Sequence, residues 1–138
     1  MKLYVVLVTG YHKLLYSDAR DAVAPTMLAH AASAKEQKAH FCVLEGGAQG
    51  IDEVCGDMCE GVKGNRLAHP ANWTKQGRGP AGPIRNSILL ESALAYHAAG
   101  HEVHVEAFPA PDSKGTRDMI AKVQRSALVD RLRVTELQ

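Results

Sequence analysis

The sequence predicts an α/β protein, a three-layer sandwich with an open, mostly parallel sheet and helices on both faces. Three observations predict it. Apolar stretches of strand length alternate with longer helical patterns along the chain. The first stretch, Leu3-Tyr4-Val5-Val6-Leu7-Val8, is apolar without interruption, as befits a strand covered on both faces. Glycine- and proline-rich segments follow the strands: Thr9-Gly10, Gly46-Gly47, Pro70 to Pro83 and Pro109 to Thr116. In a parallel sheet all four fall on the carboxyl rim, where such folds bind ligands. The arrangement is Rossmann-like.

The first strand spans about Leu3–Val8, and the polar stretch from Tyr11 to Asp18 reads as a loop. A helix from about Ala19 or Asp21 to Lys38 follows, with Pro25 in its first turn or marking a later start. The second strand, about His40–Leu44, ends in a glycine-rich turn. A second helix then covers about Asp52–Val62, with Gly61 or Gly64 as its stop. A short third strand lies near Asn65–His69. Pro70 to Pro83 is the longest irregular stretch, and its Gly and Pro content excludes a regular element. A loop that long in a compact domain is functional or mobile. The third helix runs from about Pro83 to Ala99, with Pro83 near its first position and Gly100 after its end. In the fourth strand, His101–Phe108, Val103, Val105 and Ala107 alternate with His and Glu, which suggests an edge or a half-exposed face. The segment from Pro109 opens a fourth helix, about Thr116–Leu128, and the alternating tail Arg131–Leu137 suits a last edge strand.

At 138 residues the chain has the size of one domain, 1–138, able to bury a core without disulfide or metal staples. Its formal net charge of +1 gives no bulk electrostatic case for nucleic acid or membrane binding. Cys42, Cys55 and Cys59 are an odd number without a secretory signal, which suggests reduced thiols in the cytoplasm. The apolar amino terminus lacks a cleavage region, and no run approaches a membrane span. Cys55 and Cys59 share a helix face, but no C-x-x-C pair exists, so buried structural thiols are expected and neither metal nor cofactor.

The segment Leu44-Glu45-Gly46-Gly47-Ala48-Gln49-Gly50-Ile51-Asp52 is the most informative. Strand, glycine turn and helix together point backbone N–H groups and a helix N-terminus outward, which suits an anion. The spacing is neither the dinucleotide fingerprint nor a Walker loop. Gly46, Gly47 and Gly50 let backbone approach a phosphate, and Asp52 either caps the helix or accepts from a ribose hydroxyl. Gly115 and Thr116 repeat this logic, with Thr116 as N-cap and Lys114 and Arg117 as nearby positive charge or solvated side chains. Arg85, placed at a helix start, opposes the dipole and so implies a pairing with phosphate or carboxylate; a surface arginine or an internal salt bridge competes. Asn86 orients ligand or backbone. Trp73 stacks on a base or plugs its loop onto the core. Asp118 is an acid, a base, a ribose anchor, or simply favourable first-turn charge.

Five blocks in order carry a family resemblance: Val8-Thr9-Gly10, Gly46 to Asp52, Pro70-Ala71-Asn72-Trp73, Ala81-Gly82-Pro83-Ile84-Arg85-Asn86, and Ala107-Phe108-Pro109 with Gly115-Thr116-Arg117-Asp118-Met119. Across about residues 3–122 the chain resembles the SLOG superfamily, the Rossmann-like group of DprA and the cytokinin-activating LOG enzymes. Within it the chain is most similar to the YspA-like, YpsA-related branch, a domain of unknown function in bacteria and phages. The resemblance implies a nucleotide-derived ligand, held by residues that include Thr9, Gly10, Ala48 and Pro109, and a homodimer or higher assembly. LOG relatives cleave nucleoside monophosphates to base and ribose 5-phosphate, using an arginine matched by Arg85 and a glutamate whose position here holds Met119, one residue after Asp118. The leading glycines of their phosphate loop are absent from Pro109-Ala110-Pro111-Asp112-Ser113-Lys114. The expectation is therefore a non-catalytic nucleotide-binding domain that senses or sequesters its ligand. The alternative is an N-glycosidase using Arg85 and Asp118, and single-stranded DNA binding ranks last.

Overall fold

The computed structural model describes residues 1–138, the side chain of Arg78 excepted. The chain runs β1 (Leu3–Gly10), α1 (Tyr16–Glu36), β2 (His40–Glu45), α2 (Ile51–Gly61), β3 (Asn65–Ala68), α3 (Trp73–Gln76), α4 (Arg78–Ala98), β4 (Glu102–Phe108), α5 (Lys114–Gln124), a 3-10 turn (Val129–Arg131) and β5 (Leu132–Val134). The strands form one all-parallel sheet in the order β3-β2-β1-β4-β5. The predicted three-layer α/β sandwich is the observed fold.

The uninterrupted apolar run of β1 is explained by its central place. Successive side chains alternate between faces. Tyr4, Val6 and Val8 pack under α1 and α2 with Val23, Met27 and Val54. Val5 and Leu7 pack under α4 and α5 with Leu89, Ala93 and Met119. Each such side chain, once buried, contributes about 1.5–3 kcal/mol. From β1 the chain steps outward to β2 and β3, then crosses back to β4 and β5 on the other side. The order reverses between β1 and β4, so a crevice opens at their carboxyl ends.

Several boundaries differ from those the sequence predicts. The α1 helix begins at Tyr16, ahead of Ala19, and holds Pro25 in its interior. Pro25 and Asp21 are exposed, so the carbonyl that loses its N–H partner faces water. Pro70 to Pro83 is not irregular throughout. Asn72 Oδ1 accepts from the Lys75 N–H at 2.9 Å to cap the single turn α3, and α4 begins at Arg78 rather than Pro83. Gly79 and Pro80 lie in the first turn of α4, where backbone N–H groups have no intrahelical partner to lose. At the other end Gly100 adopts φ +92°, and the His101 N–H reaches the Tyr96 carbonyl at 3.1 Å, the predicted glycine stop.

The β4 strand is not at an edge. It lies between β1 and the short β5, with Glu106 buried. Its alternation with His and Glu reflects a buried polar chain under α1: the Tyr4 hydroxyl lies 2.6 Å from His30 Nδ1, and His30 Nε2 lies 2.6 Å from Glu106 Oε2. The α5 helix starts at Lys114 and stops at Gln124, short of Leu128. The tail pairs as expected: β5 runs parallel to β4, and the N–H groups of Thr135 and Leu137 continue the ladder to Ala107 and Pro109. All three cysteines are free and buried. Burial pushes Cys59 up to about 12 and Cys55 well above its ordinary value, so both stay protonated thiols. No group of three or more potential metal ligands forms among the described residues. No helix is long and apolar enough to cross a membrane.

Candidate functional site

The glycine turn after β2 works differently from the sequence expectation. Gly47 and Gly50 adopt φ +72° and +76°, which glycine accepts without strain. The turn then folds its N–H groups inward onto two carboxylates. Gly46 and Ala48 donate to Asp52 Oδ2 at 3.1 and 3.4 Å, and Gly47 donates to Glu45 Oε1. Asp52 is therefore not the helix cap, a position held by Gly50; it lies inside α2 and braces the turn. Glu45, fully buried, also accepts from Arg66 Nε at 2.8 Å. The amides of Gly46, Gly47 and Ala48 are thus not available to a phosphate.

Asp52 is 5% exposed, and its Oδ1 has no hydrogen-bond partner among the described residues. Burial first, and then the charge of Glu45, pushes its carboxyl up to about 7; Arg85 and the Ala48 and Gly46 amides pull it back.

Arg85 sits two turns into α4 rather than at its start, so no helix dipole opposes it there. Nη1 donates to the Gly46 carbonyl at 2.5 Å and Nε to Asn86 Oδ1 at 3.0 Å. The internal salt bridge does not form: no carboxylate lies within ion-pair reach among the described residues. Its charge is held at the rim by neutral groups. A Cβ at Gly46 would meet the guanidinium, so a larger residue there would displace Arg85 from the turn. Asn86 is buried and staples α4 to α5, donating from Nδ2 to the Gly115 carbonyl and to Asp118 Oδ2, both at 3.0 Å.

Asp118 lies elsewhere. Lys122, one turn on, donates to it at 2.8 Å. Burial raises its pKa, but the hydrogen bonds from Lys122 and Asn86 outweigh that and hold it below the ordinary carboxylate value. It lines neither rim cavity. Arg117 likewise turns to Ala110 and Glu136, and Pro109 is buried with its carbonyl on the Leu137 N–H.

Two adjoining cavities occupy the crevice. One, about 450 Å³, is walled by Thr9, Lys13, Asp52, Lys114 and Thr116, among others. The second, about 400 Å³, is walled by Pro70, Ala71, Trp73 and the glycine turn. His12, Ala48, Arg85 and Gly115 line both. Thr116 is the third residue of α5 rather than its N-cap. Ser113 holds the cap position and its hydroxyl accepts from the Ala110 N–H at 2.8 Å. The N–H groups of Gly115 and Thr116 have no backbone partner outside the helix among the described residues, so this helix end offers open amides beside Lys114, whereas those of Gly46, Gly47 and Ala48 are bonded. Trp73 is 53% exposed, which removes the alternative in which it plugs the core. Gly10 is set by packing: a Cβ there would collide with Ile51.

Lys13 and His12 are site residues that sequence reasoning missed. The signal was their position directly after β1, at the point where strand order reverses. A larger groove of about 550 Å³, lined mainly by alkyl groups such as Leu28, Ala31 and Val62, lies at the amino end of β2, away from every rim loop. No protein-family model matches the chain, and neither the curated proteins nor the solved structures contain a significant match to it.

Proposed function

We propose that the chain binds a nucleotide or nucleotide-derived small molecule in the crevice beyond β1 and β4, as a sensor or sequestering protein. The observation that carries this reading is the pair of adjoining cavities bridged by Arg85. One supplies Lys13, Lys114 and the α5 amides, a fit for phosphate. The other supplies the open indole of Trp73, a fit for a flat base. The SLOG resemblance points to the same ligand class and to a homo-oligomer, and the buried reduced thiols suit a cytoplasmic setting.

N-glycosidic hydrolysis is the second reading. It needs a carboxylate beside the sugar. With Asp118 held by Lys122 and Asn86 outside the cavities, binding without turnover is the better account. Single-stranded DNA binding is disfavoured by the net charge of +1 and by Asp52 and Asp112 on the rim. The test is incubation with nucleoside monophosphates, NAD and ADP-ribose, read by melting temperature and by chromatography for free base, with Arg85→Ala as control. A rise in melting temperature with intact ligand, lost in Arg85→Ala, is expected. Release of free base makes the protein a hydrolase, and no shift with any compound overturns both readings.

A further inference from the structure

The braced glycine turn leaves one polar atom unexplained. Asp52 is enclosed by its own turn, yet only Oδ2 is used there, shared by the Gly46 and Ala48 amides. Oδ1 is buried, unpartnered and part of a residue that lines the cavity bearing Lys13 and Lys114. A buried carboxylate oxygen without a partner is costly, and native structures tolerate it mainly where something else supplies the bond. To the ionised carboxylate a phosphate cannot, since two anions would meet. A hydroxyl can, since it donates.

We infer that Asp52 Oδ1 accepts a hydrogen bond from a sugar hydroxyl of the bound ligand and so selects ribose over deoxyribose. The inference rests on the nucleotide reading above and adds what that reading lacks, a residue that discriminates between sugars. The cavity then carries both signs of charge: Lys13, Lys114 and Arg85 with the α5 amides, Asp112 at the mouth bonded by the Tyr11 hydroxyl, and Asp52 at the β2 side. A site built to pair with a hydroxyl rejects an analogue without it, because its own polar group is then left bare.

The groups facing Asp52 set when this works. Glu45 from β2 raises its pKa, with Arg66 of β3 behind that glutamate; Arg85 from α4 lowers it; Cys55 follows on α2; Tyr11, His12, Lys13, Asp112 and Lys114 line the same cavity. A carboxyl brought to about 7 is ionised, and purely an acceptor, above that pH. Sugar discrimination should therefore strengthen as pH rises through neutrality. Phosphate ionisation cancels in a ratio of two nucleotides that carry the same phosphate.

The test is calorimetric titration of AMP, 2′-deoxy-AMP, 3′-deoxy-AMP and inorganic phosphate into the wild-type chain and Asp52→Asn. In the variant the amide oxygen still braces the turn, while the position of the unpartnered Oδ1 becomes a donor. At about pH 8 the wild type should bind AMP about tenfold more tightly than at least one deoxy form. The ratio should shrink at about pH 6 and fall to within about twofold in Asp52→Asn. Equal affinities for AMP and both deoxy forms at the higher pH overturn the inference while leaving nucleotide binding intact, as does a ratio that survives in Asp52→Asn. Should the variant not fold, the wild-type pH series decides alone: a ratio that stays constant from acid to alkaline pH overturns the inference, and one that grows supports it. No binding of any nucleotide or of phosphate overturns the inference and the proposed function together.

Discussion

Two buried carboxylates, Glu106 under α1 and Asp52 at the rim, show how the same residue type serves opposite ends in one small domain. Glu106 has both oxygens engaged. His30 lies on one oxygen at 2.6 Å, and Arg133 forks across both at 2.9 and 2.7 Å. Burial pushes its pKa up, but the hydrogen bonds from His30 and Arg133 outweigh burial and hold it below the ordinary value. Asp52 has two amides on one oxygen and nothing on the other, and burial wins. No rim cavity touches Glu106, whereas Asp52 lines one. A satisfied buried charge is architecture; an unsatisfied one beside a cavity is a place for a ligand.

The largest expected effect comes from breaking the satisfied cluster. Glu106→Ala leaves His30 buried and Arg133 without its partner, and should lower the unfolding free energy in urea by about 3 kcal/mol or more. A loss below about 1 kcal/mol would place Glu106 outside the architecture.

Asp52→Asn should behave in the reverse sense. A folded-state pKa of about 7, above the unfolded value, means that the contribution of Asp52 is fully present at acid pH and is lost as pH rises through about 7. Replacing it with a neutral amide should therefore raise stability above neutrality by on the order of 2 kcal/mol and change little near pH 4. Denaturant titrations of both proteins across that range check the sign; a variant less stable than wild type at high pH would refute it.

Arg85→Ala removes the guanidinium that bridges the cavities and should weaken AMP binding by about tenfold or more, with about 1 kcal/mol lost from stability for the bond to the Gly46 carbonyl. Lys114→Ala should weaken inorganic phosphate binding several-fold, roughly, and flatten its salt dependence, as expected for one solvated cation. The smallest effect is expected at the exposed pair Arg117–Glu136, where Glu136→Ala should change stability by less than about 0.5 kcal/mol and leave binding unaltered.

The fold was legible because parallel-sheet strands declare themselves as apolar runs and because Gly100, at positive φ, stops α4 where the pattern placed its end. The start of α4 was not, since Gly79 and Pro80 read as breakers unless they are known to lie in a first turn. The rim loops were found correctly as a group, and Arg85 lies among them. What the glycine turn does with its amides was hidden, because Asp52 reaches back to Gly46 and Ala48 only once Gly47 and Gly50 have taken positive φ. The spacing of Asp118 and Lys122 on one helix face could have signalled their pairing. Lys13 carried no motif and became visible only when strand order placed it beside α5.

The central claim is that phosphate meets the first turn of α5 and not the glycine turn after β2. Amide chemical-shift mapping with added AMP tests it most directly. The Gly115 and Thr116 amides should move most, and those of Gly46, Gly47 and Ala48, already bonded to Asp52 and Glu45, should move less. Largest shifts at Gly46 to Ala48, or none at either turn, would contradict it.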